Sequence, residues 1–258
     1  MKIATFNANS IRSRLEVLLA WVEANRVDIL CVQETKVRDE EFPLEPLRNA
    51  GWSVLFRGEK SYNGVAILSR QPADESWAGF DDGGPADSTR LLAARFGKLT
   101  VLNTYVPQGR EITHEKYLYK QEWFRRLKSL LDHRFQPGGL LLWCGDLNVA
   151  REPIDVHSPE SHTDHVCYHA DVRREFEACL RWGFVDVYRK FHPEPGRYSF
   201  FDYRTPRAVE RGIGWRIDYL LASSALAARA RGAFIDLQPR LALKASDHTF
   251  LVADFEDL

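Results

Sequence analysis

The stretch LLLWCGDLN ends in Asp146 and Asn148, an acid and an amide two positions apart. Side chains alternate along a strand, so the two point the same way. A carboxylate steadied by an amide suits a base acting on water. Other apolar runs close in polar residues too. ATFN ends in Asn7, with Asn9 two residues on, and ILCVQE ends in Gln33 and Glu34. VLNTYVPQG places Tyr105 before a turn containing Pro and Gly, WRIDYLLA carries Asp218, and KASDHTFLV places Asp247 and His248 near its start. Glu34 and Asp247 offer hard oxygen donors, which suit Mg²⁺, with Mn²⁺ as a substitute, rather than zinc. His248 paired with Asp218 suits contact with a phosphate oxygen, and the Tyr105 hydroxyl suits donation to charge developing on oxygen. Together the set describes metal-assisted hydrolysis of a phosphate ester. Taken singly, most of these residues have plainer readings as turn formers or solvated groups. Asp218 is the hardest to read that way, because an acid flanked by Ile217 and Leu220 is costly to bury without a partner.

Such residues need rigid elements to hold them. Ile3 to Asn7 alternates as a strand, and Ile11, Leu15, Leu18 and Val22 follow at helical spacing with Ser10 as the N-cap. Asp28 to Gln33 reads as a second buried strand. Further strands are predicted over 52–56 and 63–69, and over 91–96 and 99–106 with Gly97 and Lys98 as their hairpin turn. Helices are predicted over 113–132, through Tyr117, Phe124, Leu127 and Leu131, and over 172–182. The LLLWC strand lies between them, and Gly145 marks a place where the backbone bends or something approaches closely. Later strands are predicted near 184–188, 198–203, 215–221, 233–237 and 249–255. Strands dominate, helices interrupt them and hairpins recur. That pattern argues for an α/β sandwich in one domain over 1–258.

Composition sets the outer bounds. The chain has 258 residues, 45% of them hydrophobic, enough for a sizeable core. Lys and Arg total 35 against 36 Asp and Glu, a net charge of -1. Nucleic-acid binding would therefore rest on a local patch or a metal, not on bulk charge. No apolar stretch is long enough for a bilayer, and MKIATFNANSIRSR lacks a signal-peptide core, so no membrane partner is expected. Cys31, Cys144, Cys167 and Cys179 show no paired spacing and read as reduced thiols of a cytoplasmic protein.

The order of these motifs resembles the exonuclease III family of apurinic/apyrimidinic (AP) endonucleases, within the endonuclease/exonuclease/phosphatase superfamily that includes deoxyribonuclease I. FNANSIRSR, VQETK, NGVAILSR, NTYVPQG, GDLNVA, GFVDVYR, RYSFFDYR, GWRIDYLLAS and SDH follow in the family's order over nearly the whole chain. The resemblance implies a four-layer α/β sandwich of two packed mixed sheets flanked by helices, with the site at one edge. It implies Glu34 as the main metal ligand, with Asn7, Asp247, Asp146 and Asn148 close to the metal. Asp146 would activate or position the attacking water. Asn148 would orient Asp146 and contact the phosphate. His248, supported by Asp218, would bind the scissile phosphate, and Tyr105 would bond the phosphate or help the leaving oxygen.

The same resemblance implies a substrate. Phe200, Trp215 and Ile217 fall in segments that form an apolar pocket for a flipped, base-less sugar, and flipping costs least where no base pair must be broken. The expected partner is duplex DNA carrying abasic sites or blocked 3′ ends. Incision 5′ to the lesion would leave a 3′-hydroxyl and a 5′-deoxyribose phosphate, with 3′-end cleaning and 3′→5′ exonuclease activity alongside. A monomer in a bacterial or archaeal cytoplasm is expected. The alternative is a superfamily phosphodiesterase acting on RNA or a small phosphoester. Arg12, Arg14, Lys36, Arg204, Arg207, Arg211 and Arg216 form a candidate positive track for DNA phosphates. His157, His162, His165 and His169 fit no standard zinc spacing and read as part of a solvated loop.

Overall fold

The computed structural model describes residues 1–256. The chain opens with β1 (Lys2–Asn7), α1 (Ile11–Asn25) and β2 (Ile29–Gln33), followed by α2 (Leu44–Asn49), β3 (Ser53–Arg57) and β4 (Val65–Ser69). Then come β5 (Glu75–Ala78), β6 (Leu91–Phe96), β7 (Leu99–Tyr105), α3 (Glu115–Arg134) and β8 (Leu140–Asp146). The remainder is α4 (Ala170–Leu180), β9 (Phe184–Asp186), α5 (Val187–Phe191), β10 (Asp218–Ser223), α6 (Ser224–Ala227), β11 (Ala230–Asp236) and β12 (Phe250–Phe255).

The strands form two six-stranded sheets, ordered β11-β12-β1-β2-β4-β3 and β5-β6-β7-β8-β10-β9. Both are mixed, with one parallel pair each, β1–β2 and β7–β8. Strand alternation sorts the side chains into layers. In β8, Leu142 and Cys144 face the other sheet, while Leu141 and Trp143 pack with Phe124 and Phe176 of α3 and α4. In β1, Ile3 faces the other sheet, while Ala4 and Phe6 pack with Leu18 and Trp21 of α1. The expected four-layer sandwich results: helices, sheet, sheet, helices.

The same alternation builds the site. Asn7, Gln33, Tyr105, Asp146 and Asp218 share strand parity with Ile3, Cys31, Val101, Cys144 and Leu220, which fill the space between the sheets. All five lie where that space reaches the edge of the sandwich. Just below them the Gln33 amide donates to Asn103 Oδ1 (2.6 Å) and Thr5 Oγ1 (2.9 Å). Asn103 donates on to the carbonyls of Val32 and Ala66, tying the two sheets together. Gly145 lies inside β8, opposite Thr104 and Tyr219, rather than at a bend. Its φ is +129°, and a Cβ there would sit 1.9 Å from the Thr104 carbonyl oxygen. Close approach is therefore what requires glycine.

Several predicted elements differ. The 198–203 segment is not a strand but a pair of isolated bridges, Phe200 to Trp215 and Phe200 to His248. The strand predicted over 215–221 begins at Asp218, and β9 yields to α5 at Val187. Edge strand β5, with its first residues exposed, lacks the apolar alternation that would announce it. Ser10 stands at the N-cap of α1 without a capping hydrogen bond. Arg216 is not part of a phosphate track. It is fully buried, and its guanidinium bonds Asp155 Oδ1 and Asp186 Oδ2, each at 2.7 Å. It pins the loop after β8 to the end of β9. Arg216→Ala strands the buried Asp186 carboxylate and should lower unfolding free energy by about 3–5 kcal/mol. Urea denaturation measures this, and a loss below about 1 kcal/mol would show that other cations replace the guanidinium.

Candidate active site

Register places the first contacts. Asp146, the last residue of β8, pairs with Tyr105 on one side and Asp218 on the other, and Asn7 pairs with Gln33. The Asn7 amide nitrogen then donates to Glu34 Oε1 and to Asp146 Oδ2, both at 2.8 Å. The Asn7 oxygen accepts from the Asn9 N–H at 3.0 Å. Asn9 donates to Asp247 Oδ1 at 2.9 Å. Thus Asn7 at the end of β1 and Asn9 just beyond it gather three acids from three other segments. Lys36 Nζ lies 2.6 Å from Glu34 Oε2 and also donates to Asn9 Oδ1.

Backbone strain accompanies this arrangement. Asn9, Ser10, Glu34, Lys36 and Asn148 all have positive φ without being glycine. Such conformations cost of order 1–3 kcal/mol each and cluster where function holds them. Glu34 has the wrong strand parity for the gap between the sheets, and its left-handed turn (φ 51°) accompanies the return of its carboxylate to Asn7. Asn148 orients Asp146 through its main chain, donating its N–H to Asp146 Oδ1 at 2.9 Å. Its side-chain nitrogen is used by the Val106 carbonyl (3.0 Å).

The second half of the cluster is His248. Its Nδ1 lies 2.8 Å from Asp218 Oδ2, and its Nε2 lies 3.7 Å from Asp146 Oδ2. Ser199 Oγ also donates to Asp218 Oδ2, at 2.6 Å. Burial alone would lower the His248 pKa, but Asp218 and Asp146 outweigh it and raise it to about 10. Burial pushes the Asp146 carboxyl up to about 7; His248 opposes this, while Asp218 and Glu34 add to it. Burial also opposes ionisation of Glu34, yet Lys36 and Asn7 hold its pKa below the usual carboxylate value. The Tyr105 hydroxyl is pushed well above its usual value, by burial and then by Glu34 and Asp146, so it keeps its proton for donation.

These groups open on a cavity of about 420 Å³ whose lining includes Glu34, Tyr105, Asp146, Asp247 and His248. Phe200, Trp215 and Ile217 line it too, with Trp215 8% exposed and the Phe200 ring 4.9 Å from that of His248. Trp215 and Ile217 belong at the same time to the core packed under α3 and α4. The histidine segment is not simply solvated. The rings of His157, His162 and His165 lie 6.0, 4.9 and 4.5 Å from Trp215 and line the same cavity. His169 instead accepts the Asp171 N–H at the start of α4 and bonds Tyr117. Local spacing in sequence carried no signal for this wall. Lys120, by contrast, is marked in the sequence as a lysine in the apolar stripe of α3.

The donor chemistry fits a divalent cation. The Asp146, Asp218 and His248 ligating atoms lie within 4.8 Å of one another. Asp218 Oδ2 is already engaged by His248 and Ser199, however. Glu34 and Asp247 line the same cavity and could add hard oxygen donors to such a site. Of the remaining basic residues in the proposed track, Arg204 is paired with Asp202 at 2.6 Å, and Arg14 bonds Tyr203 and the Ala245 carbonyl.

One consequence can be checked on metal-free protein. The folded His248 pKa of about 10 lies above its ordinary 6.5. The pairing therefore stabilises the fold in full below about pH 6.5, and this contribution is lost as pH rises through about 10. Heteronuclear NMR should show the imidazolium persisting at neutral pH, and Asp218→Asn should move its titration downward. Titration of the wild-type ring near or below its ordinary value would mean that burial offsets or outweighs the acids.

Comparison with known proteins identifies the family. The model of the Endonuclease/Exonuclease/phosphatase family matches residues 4–248. The chain is 32% identical to exodeoxyribonuclease III of Haemophilus influenzae, covering 99% of this chain and 100% of that one. It is 49% identical to the solved structure of an AP endonuclease from Archaeoglobus fulgidus, with a TM-score of 0.98 and 100% of both chains covered. A 3′ phosphatase from Neisseria, solved with a product DNA hairpin, is 34% identical, with a TM-score of 0.91 and 99% of each chain covered. Sequence, fold and site together make the chain a member of the endonuclease/exonuclease/phosphatase family, among its exodeoxyribonuclease III and AP endonuclease relatives.

Proposed function

We infer that the chain is a DNA repair nuclease that hydrolyses the phosphodiester 5′ to an abasic site in duplex DNA. The observation that carries this reading is the junction of two features in one cavity: the Glu34–Asn7–Asp146–His248 cluster and the Phe200–Trp215–Ile217 wall. The first is built for phosphate chemistry, and the second gives a base-less sugar an apolar surface. The names of its relatives, exodeoxyribonuclease III, AP endonuclease and 3′ phosphatase, support the same substrate class.

Each residue has a role that its surroundings favour. Asp146, with a pKa near neutrality, takes or directs the proton of the attacking water. The Asn148 N–H fixes that carboxylate. The His248 imidazolium binds a non-bridging phosphate oxygen, and Asp218 holds its ring orientation. Tyr105 donates toward the leaving 3′ oxygen. A water–phosphorus bond forms, the P–O3′ bond breaks and the 3′ oxygen gains a proton, leaving a 3′-hydroxyl and a 5′-deoxyribose phosphate. Glu34 and Asp247, with Asp146, would hold Mg²⁺ or Mn²⁺, which would neutralise charge on the phosphate oxygens. The same chemistry on a terminal phosphate would clear blocked 3′ ends.

A duplex with one tetrahydrofuran abasic analogue should be cut 5′ to the lesion in Mg²⁺, while EDTA abolishes cutting. Asp146→Asn should slow it by about 10²–10⁴-fold. Absence of cleavage across divalent metals would remove the nuclease reading. Trp215→Ala addresses the substrate: abasic cleavage should fall at least about tenfold, while hydrolysis of bis(p-nitrophenyl) phosphate should hardly change. Equal losses on both would place Trp215 in the scaffold rather than in a sugar pocket.

A further inference from the structure

Lys120 is a cation set among carbonyls. It sits in α3 on the face of Tyr117, Phe124, Leu127 and Leu131, and it is fully buried. Its Nζ donates to the carbonyls of Asn148 (2.6 Å), Val166 (2.8 Å) and Gln108 (3.1 Å). Three acceptors match the three N–H bonds of an ammonium. Cys167 Sγ lies 4.0 Å from the same nitrogen and 3.9 Å from Asn148 Oδ1. Burying an ammonium is costly, and the three carbonyls it pairs here offset that cost while needing a donor themselves.

The three carbonyls belong to three different segments. Gln108 lies in the turn after Tyr105. Asn148 carries the N–H that fixes Asp146, in a left-handed conformation with φ 50°. Val166 follows His165, whose ring packs on Trp215 4.5 Å away. The Lys120 nitrogen is thus a common anchor for the Tyr105 turn, the Asp146–Asn148 corner and the pocket wall.

We propose that Lys120 is a positioning residue for phosphodiester hydrolysis: it holds the strained Asn148 backbone so that its N–H stays on Asp146, and it ties the histidine–tryptophan wall to the same point. Its kinetic consequence rests on the nuclease reading; its structural consequence does not.

A double-mutant cycle of Lys120→Met and Asp146→Ala, which removes the carboxylate that the Asn148 N–H holds, tests it on the abasic duplex. Lys120→Met should lower kcat by about 10²-fold with little change in KM, since displacement of about 1 Å has that effect on a hydrolytic site. In the Asp146→Ala background the further loss should be less than about threefold, because residues acting as one unit are not additive. Additive losses, or a lower melting temperature with kcat retained, would overturn the proposal. If Lys120→Met does not fold, Lys120→Gln, which keeps two N–H donors, enters the same cycle with the same criteria. Amide hydrogen exchange at Asn148 supplies a readout without substrate. The amide should be protected in the wild type and exchange at least about tenfold faster in the lysine variant. Unchanged exchange would overturn the proposal. Failure of the wild type to cut abasic DNA would count only against the nuclease reading.

Discussion

The Asn7 amide stands between two carboxylates, donating one N–H to Glu34 and the other to Asp146. Two like charges held by one amide nitrogen repel by roughly a few kcal/mol at the effective dielectric of a protein interior. Left to themselves, such acids would separate or take up protons. Here the amide bridges them, His248 faces Asp146 from the other side, and Lys36 sits on Glu34. The cluster is one of mutual compensation, and every neighbouring element serves it. β1 brings the amide, β8 and β10 bring Asp146 and Asp218 into register, and the start of β12 follows His248.

Strand alternation explains why the cluster lies where it does. Each contributing strand keeps apolar residues of one parity in the gap between the sheets and places its polar residue at the same parity, at the edge of the gap. Below that edge, the Gln33–Asn103 contact spans the sandwich and leaves the strand ends little freedom to shift. Precision then comes from the loops, where Asn9, Glu34 and Asn148 occupy conformations that only surrounding contacts can maintain. Rigid strands supporting strained loop residues are a general means of holding groups in reactive geometry.

Buried cations divide by what they hold. Arg216 joins two acidic side chains, Asp155 and Asp186, away from the catalytic cluster and is a staple of the fold. Lys36 stays partly exposed beside Glu34. Lys120 meets only carbonyls and a thiol. The three show that a positive charge near this site cannot be assigned to DNA contact from sequence alone.

Most of the fold was legible because its signals are local. Alternation or an unbroken apolar run marked β1, β2, β6, β7, β8 and β12, and helical spacing marked α1, α3 and α4. Polar residues at the ends of apolar runs gave Asn7, Glu34, Tyr105, Asp146, Asp218 and His248 as candidates, because a strand end is where a sheet exposes chemistry. Non-local contacts were not legible. Nothing along the chain brings His157, His162 and His165 to Trp215, makes Phe200 bridge to Trp215 instead of forming a strand, or withdraws Arg216 from the surface. Those outcomes depend on which segments pack together after the sheets close. The sequence by itself determined which side chains could do chemistry and which strands carry them, through periodicity and residue type. Only the tertiary structure decided how those charges compensate one another, because their energies depend on distance, burial and partners contributed from remote parts of the chain.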